Sequence, residues 1–456
     1  MVPSGNLPKK IAALVASQLR EQSSILIGLS GGMDSVVLLH YLSRNAVRYS
    51  WRLSALHVHH GVSQNADSWA DFCTELCAQY QIPLHIEYVD IAPLREHGME
   101  AAARKLRYAA FAGQSCDFVA LAHHVDDQVE TLLLQLLRGA GVRGAAAMPQ
   151  LSDRADSIPV VRPLLNCSRQ EVLNYAAEHN LRWINDESNV DDSYPRNFLR
   201  HRILPLLSEK FPAYRETLAR SAQHFAEASM LLDDLARLDA PGLFSDQSKK
   251  CEGGELRLEV SLLKSLSLLR AKNLLRFYLH TQGAPIAQAS QLHDMLRQLC
   301  GARNDASVCI AYGSGWQVRR YLDEVFVLRA LKEFERNLVL SWSGEAELAW
   351  PALDSTLYFK STKQIQVTGI SLAKLQCGQV TVRLRRGGET LRPNIKAAKR
   401  TLKNLLQEQH VPPWQRERLP LLYCGDDLVC VPNVAIAAEY QADSHEAAIF
   451  VQVGDP

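Results

Sequence analysis

The stretch Ile27-Gly28-Leu29-Ser30-Gly31-Gly32-Met33-Asp34-Ser35 decides the fold, because it closes a short apolar run and opens a helical one. Its three glycines let the backbone turn tightly and aim N–H groups inward to cup an anion. Ser30 and Ser35 add hydroxyl donors, and the start of the helix contributes roughly half a positive charge. The pattern predicts a phosphate site at Ser30, Gly31, Gly32, Met33, Asp34 and Ser35. It is neither a Walker A loop, lacking the terminal Gly-Lys-Ser/Thr, nor a dinucleotide GxGxxG.

Around this loop, apolar runs at 23–29, 52–59, 84–89 and 117–122 alternate with helical periodicity over 33–44, 66–80, 100–113 and 125–138. The alternation predicts an α/β fold: a doubly wound, mainly parallel, Rossmann-like sheet with ligands at the carboxyl ends of its strands. Helical runs at 214–238 and 261–281, with strand-like pieces at 307–311 and 325–328, predict a mostly helical second domain. From about 341, strands and turns with a basic, helix-like stretch at 396–407 predict a small α+β domain. The expected domains are 1–215, 220–335 and 345–456.

Composition sets outer bounds. A chain of 456 residues has room for several domains, and 47% hydrophobic with 22% charged residues excludes collagen-like or wholly disordered chains. The ten cysteines contain no CxxC pair, which favours a reduced, cytoplasmic chain. Cys73 and Cys77, four residues apart, read as one buried helix face. The apolar run after Lys9 and Lys10 is too short for a secretory signal, and no 18-residue apolar stretch predicts a membrane span.

The stretch after the fourth apolar run is Ala122-His123-His124-Val125-Asp126-Asp127-Gln128-Val129-Glu130-Thr131. On a helix, His123, Asp127 and Glu130 fall at i, i+4 and i+7 on one face, with Asp126 beside them. Carboxylates this close repel unless a cation joins them, and Mg²⁺ on ATP phosphates or an amine substrate would serve. Asp126 and Asp127 equally suit a first helical turn, where the dipole favours acids. Zinc is not indicated, since no thiolate or third histidine follows at a ligand spacing.

The loop at Ser30–Ser35 resembles the PP-loop, the pyrophosphate-binding loop of the N-type ATP pyrophosphatases. The stretch at 123–131 resembles the His-His-x-Asp-Asp-x-x-Glu-Thr signature of tRNA(Ile)-lysidine synthases and the related tRNA thiolases. Further similar pieces follow in order: His57-Val58-His59-His60-Gly61, Ala102-Ala103-Arg104 with Arg107-Tyr108, 139–144, Arg162-Pro163-Leu164, Trp183 with Asp186, Ser188 and Asn189, and Arg196-Asn197 with Arg200. The resemblance covers about 1–215, and the extension past 220 looks like the C-terminal domains of the longer lysidine synthases. Ala122 stands where the family usually has glycine, and His59-His60 doubles a position that often carries one histidine. Neither departure removes a reactive group.

The resemblance implies an AMP-forming C–N ligase that uses ATP and Mg²⁺, with L-lysine and tRNA(Ile) carrying a CAU anticodon as partners. The C2 oxygen of the wobble cytidine attacks the α-phosphate of ATP, pyrophosphate leaves, and the lysine ε-amine displaces AMP to give lysidine. The implied catalytic set is Asp34, Arg104, His123, Asp126, Asp127, Glu130 and Arg200, with Asp34 and Asp126 as Mg²⁺ ligands. In this scheme Arg104 meets charge developing on phosphate, while Asp127 and Glu130 bind the lysine ammonium. A neighbouring carboxylate or His123 accepts the proton. Only about four in ten thousand lysine amines are neutral at pH 7, so the amine step needs help. A tRNA thiolase is disfavoured by the missing cysteine pair, a small-molecule ligase by the basic C-terminal region, and a non-catalytic ATP- or RNA-binding scaffold by the acidic cluster. Oligomeric state is left open, a homodimer included.

Net charge is +1, yet residues 381–403 hold eight bases, Arg383, Arg385, Arg386, Arg392, Lys396, Lys399, Arg400 and Lys403, against Glu389 alone. With Pro393, Trp414 and Arg416–Arg418 nearby, this stretch predicts an RNA surface. Six phosphate contacts there would weaken binding by about a thousandfold between 50 and 200 mM salt.

Overall fold

The computed structural model describes residues 7–61, 63–92, 99–154, 157–243, 257–303, 306–313, 315–331, 333–353, 355–362, 369–395, 398–443 and 446–454. The chain divides into two compact units, Met1–Leu238 and Asp239–Pro456.

In the first unit, strands β1 (Ser24–Gly28), β2 (Arg52–His59), β3 (Leu84–Tyr88), β4 (Phe118–Ala120), β5 (Leu151–Arg154) and β6 (Ser157–Val161) form one sheet in the order β3-β2-β1-β4-β6-β5. All pairings are parallel except that of β5 with β6. Helices α1 (Leu7–Gln18), α2 (Met33–Tyr49), α3 (Ala66–Tyr80), α4 (Met99–Ala112), α5 (Val125–Leu137), α6 (Val142–Ala145) and α7 (Arg169–Glu178) connect or cover the strands. Ile25 and Ile27 of β1 pack with Leu7, Ile11, Val36, Leu39, Cys73, Cys77 and Tyr175, whereas Leu26 joins Leu56, Phe111, Val119 and Leu121 in a separate cluster. Period-2 alternation thus sends successive residues of one apolar strand into two cores, as expected for a sheet covered on both faces.

The strand order places the site. The chain moves outward from β1 through β2 to β3, then returns to β4 on the opposite side of β1, and ligands bind at such a reversal. Ile25, Leu26 and Ile27 pair in register with Phe118, Val119 and Ala120, so the two strands end side by side.

Beyond the sheet, α8 (Pro195–Phe198), a π-helical turn (Leu199–Ile203), α9 (Leu204–Lys210) and α10 (Tyr214–Asp239) complete the first unit, which reaches past the boundary expected near 215. The second unit begins with an antiparallel sheet β7-β10-β9-β8 (Leu258–Glu259, Glu324–Arg329, Trp316–Tyr321, Val308–Tyr312), joined to helices α11 (Val260–Ser265), α12 (Leu268–Thr281) and α13 (Ala289–Gly301). The single helix expected over 261–281 is two, because Leu266 and Ser267 are extended between them. Buried Arg320 donates to the carbonyls of Leu299, Ala302 and Leu322, satisfying the end of α13 from the sheet. Toward the C-terminus, a five-stranded and a four-stranded sheet contribute Val382, Leu422 and Val429, and Trp350, Leu357 and Ile449, to one core.

Candidate functional site

The turn between β1 and α2 is held from three sides. Gly31 has φ +82°, and a Cβ there would lie 2.6 Å from Ile184 Cδ1 and 3.3 Å from Cys73 Sγ. The Ile184 N–H donates to the Gly31 carbonyl at 2.9 Å. Gly32 caps α2 in an extended conformation, and the Ser35 hydroxyl donates back to its carbonyl at 2.8 Å. His57 Nδ1 lies 2.9 Å from the Leu29 carbonyl; a carbonyl only accepts, so this nitrogen carries the proton. Burial holds the His57 pKa below the ordinary value, keeping the ring a neutral tether.

Across the crevice, α5 starts at Val125, with His124 as its extended N-cap. His123 therefore sits on the turn before the helix rather than on its face, correcting the i, i+4, i+7 expectation. Asp127 reaches back so that its Oδ2 accepts from the His124 backbone N–H at 2.9 Å, as a third-position acid can at a helix start.

The expected bare acidic face is a paired cluster. Fully buried Glu130 accepts from Arg196 Nε at 2.6 Å and from Arg200 Nε at 2.7 Å. Arg196 also donates to Asp127 at 2.8 Å. Burial would raise the Asp127 pKa, but His124 and Arg196 beside it bring it down to about 2. Asp126 accepts from Arg215 Nε at 2.5 Å through Oδ1 and from the Arg169 backbone N–H at 3.0 Å through Oδ2. Three carboxylates thus face three guanidiniums.

The two histidines differ. His124 is buried, which alone would lower its pKa, but Asp127, Asp34 and Asp126 surround the ring and raise it. Its Nε2 lies 3.7 Å from Asp34 Oδ2, and its Nδ1 is 3.5 Å from Asp127 and 3.7 Å from Asp126. His123, by contrast, is pushed down to about 3 by burial against the pull of Asp127, and its Nδ1 is buried without a partner.

One open cavity of about 2060 Å³ takes in the loop, both histidines, Asp126, Asp127, Glu130, Arg104, Arg107, Arg196 and Arg200. Exposed Arg104 lies 5.1 Å over the Tyr108 ring on the cavity wall. Drug-sized ligands occupy about 300–1,000 Å³, so this volume suits more than one reactant. Asp34 Oδ1 is buried with no partner, which fits a cation carried in on phosphates. Asp126 is already tied to Arg215 and to the Arg169 backbone, so of the two acids expected to hold the ion it is Asp34 that has the unpartnered oxygen. Among the described residues no group of three or more acids, histidines or cysteines is arranged to hold a metal without phosphate.

Every catalytic and phosphate-loop residue expected from sequence falls in this cleft or its loop. His57 and His124 stand inside the motifs quoted above. Arg196, expected with Arg200, His201 and Arg202 as a basic cluster that meets the anticodon side or the ATP phosphates, is instead bonded to Glu130 and Asp127. Arg215, 89 residues from Asp126, carries no local signal.

The basic stretch is also more neutral than expected. Arg383, Arg385, Arg392 and Arg400 lie beside Asp426, Glu389, Glu439 and Glu408. Arg386, Lys399 and Lys403 are exposed, and Lys396 lies outside the described residues. Among the described residues of the expected helical stretch, helix runs from Leu402 to Glu408, where the Thr401 side chain caps it. Trp414 is 9% exposed, packed edge-on to Phe326 at 5.2 Å with Arg319 5.0 Å from its ring. Arg416 is buried, donating to the Val411 carbonyl and the Tyr321 hydroxyl, both at 2.6 Å. Trp414 and Arg416 are therefore internal packing, not RNA-facing groups.

Comparison with known proteins agrees with this anatomy. Residues 3–207 match the PP-loop domain family, 258–326 the TilS substrate binding domain and 380–453 the TilS substrate C-terminal domain. The chain is 41% identical to a tRNA(Ile)-lysidine synthase of Nitrosomonas europaea, over 95% of this chain and 93% of that protein. It is 35% identical to the Coxiella burnetii enzyme of the same name, over 98% and 97%, and 36% identical to that of Escherichia coli O157:H7, over 95% and 97%.

Proposed function

The chain belongs to the tRNA(Ile)-lysidine synthase family, and from that premise we propose that it ligates the lysine ε-amine to C2 of the wobble cytidine of CAU-bearing tRNA(Ile), through an adenylated tRNA. The observation that carries this reading is the meeting, in one cleft, of a phosphate loop and a buried carboxylate–guanidinium cluster. Cys73 lies behind the loop with its thiol pushed up to about 12 by burial, so it offers no thiolate for sulfur transfer.

In this proposal Ser30, Gly31, Gly32, Met33 and Ser35 hold the departing pyrophosphate, and Asp34 would hold Mg²⁺. The ion, when bound, would neutralise phosphate charge. Arg104, exposed on the cavity wall, is available to the α-phosphate.

Asp127 and Glu130 receive the lysine ammonium while Arg196 and Arg200 remain beside them. This pairing resolves a conflict inherent in a bare acidic pocket, which would stabilise the ammonium that must lose its proton. Neighbouring guanidiniums and exclusion of water both lower an amine's pKa, so the pairs hold lysine without locking it in the charged form. With a pKa of about 3, His123 is too weak a base to hold that proton for long. Asp127, held down to about 2, is weaker still, so either group takes the proton only in passing and gives it up to solvent as AMP leaves. The second unit, from Asp239 onward, is proposed to engage the tRNA through two modules, one ending near 335 and one over 345–456, in the cytoplasm.

Labelled lysine incubated with ATP and CAU-bearing tRNA(Ile) is expected to enter RNA, with AMP and pyrophosphate released. Pyrophosphate release that needs no tRNA, or sulfur entering the tRNA instead of lysine, would refute the proposal.

A further inference from the structure

Arg215 occupies the first turn of α10, where the helix dipole disfavours a cation. It is nevertheless committed inward: its Nε donates to Asp126 Oδ1 at 2.5 Å, and its guanidinium lies 4.6 Å from the ring of buried Tyr214. The other Asp126 oxygen accepts from the Arg169 backbone at the start of α7 and stands 3.7 Å from His124 Nδ1. The far side of that ring, Nε2, stands 3.7 Å from Asp34 Oδ2. Side chains from α10, α5, the β4–α5 turn and α2 thus form one series that ends at the phosphate loop. Asp34 Oδ1 is buried without a partner, and His124, whose Nδ1 also lies 3.5 Å from Asp127, is the charged neighbour of its other oxygen.

We propose that Arg215 is a positioning residue which fixes Asp126 and, through His124, aims Asp34 at a phosphate-bound divalent cation. The inference rests on the reading of Asp34 given above. Without the guanidinium, Asp126 Oδ1 is free to turn toward His124, drawing the imidazole away from Asp34. The loop and its backbone donors are untouched by that change, so ATP binding and metal use separate.

The test compares the full-length chain with Arg215→Gln and Arg215→Lys. ATP affinity is measured by calorimetry in EDTA and in Mg²⁺, alongside the kinetics of tRNA-dependent pyrophosphate release. Arg215→Gln is expected to bind ATP in EDTA as the parent does, to lose about tenfold of the tightening that Mg²⁺ gives, and to lose about ten- to a hundredfold in kcat, the usual scale for groups that support a metal ligand. The tRNA KM stays the same. Arg215→Lys restores the charge but not the planar fork, so it recovers part of both losses and keeps the parent melting temperature. An unchanged Mg²⁺ increment in both variants overturns the proposal. So does an equal loss of affinity in EDTA and Mg²⁺, the mark of a merely structural contact. A parent chain whose ATP affinity ignores Mg²⁺ refutes the Asp34 reading itself, and the proposal with it.

Discussion

Arg196 Nε donates to Oε2 of Glu130 at 2.6 Å, joining residues 66 apart in sequence at the floor of the cleft. A fully buried carboxylate that holds two arginines is a structural and a chemical group at once. Replacing it unbalances two guanidiniums whose side chains are only 23% and 24% exposed.

Glu130→Gln is therefore expected to lower stability by about 3 kcal/mol, the scale for breaking a buried pair from one side. In protein that remains folded, the lysine KM should rise at least tenfold while pyrophosphate release continues. Urea titration reads the first and lysine-dependent turnover the second. An unchanged lysine KM would remove Glu130 from the lysine site.

Acid sensitivity should begin well above the carboxylate range. His40 and His60 are held down to about 4 by burial, and His123 to about 3. Each lies below its unfolded value of 6.5, so the unfolded chain binds the proton more readily and stability falls as pH drops below 6.5. The slope is about 1.4 kcal/mol per pH unit for each such histidine, until its folded pKa is reached. Below about pH 4, loss of the Asp127 contribution adds to the decline, as its folded pKa of about 2 is approached. Urea midpoints between pH 7 and 4 check this, and His40→Gln should flatten the curve. Constant midpoints down to pH 4 would contradict it.

Salt dependence of RNA binding separates the sequence count from the structural one. The three exposed bases among the described residues, Arg386, Lys399 and Lys403, predict for their part a loss of about thirtyfold in affinity between 50 and 200 mM salt, not a thousandfold. Replacing these three with glutamine should remove that part of the slope. A thousandfold fall that persists in the triple variant would place the contacts on other residues.

Trp414→Ala is expected to destabilise the second unit by about 3–5 kcal/mol, as truncation of a buried aromatic does. Calorimetry should show its transition moved while ATP binding by the first unit is retained. If RNA affinity fell and the transition stayed in place, Trp414 would be a stacking residue after all.

Much of this architecture is legible in the chain because local patterns determine it. The runs at 52–59 and 66–80 appear unchanged as β2 and α3, since apolar periodicity and flanking turn residues agree there. The loop and the acidic stretch meet because each follows a central strand, and strand order in an α/β sheet brings those ends together. Pairing across distance is what local pattern omits. Nothing near Arg196 or Arg215 indicates that their charges are spent on Glu130 and Asp126, and nothing near Trp414 announces Phe326. A count of charges along the chain assigns to solvent whatever the fold has already neutralised.

The hydrogen bond from Ile184 to Gly31 also has a temporal side. The loop residues leave the ribosome some 150 residues before the backbone and side chain that hold Gly31 in its left-handed conformation. Long-range contacts of this kind form only once the intervening chain exists. During synthesis the turn at Gly31 therefore lacks this hydrogen bond until the chain through Ile184 has been made.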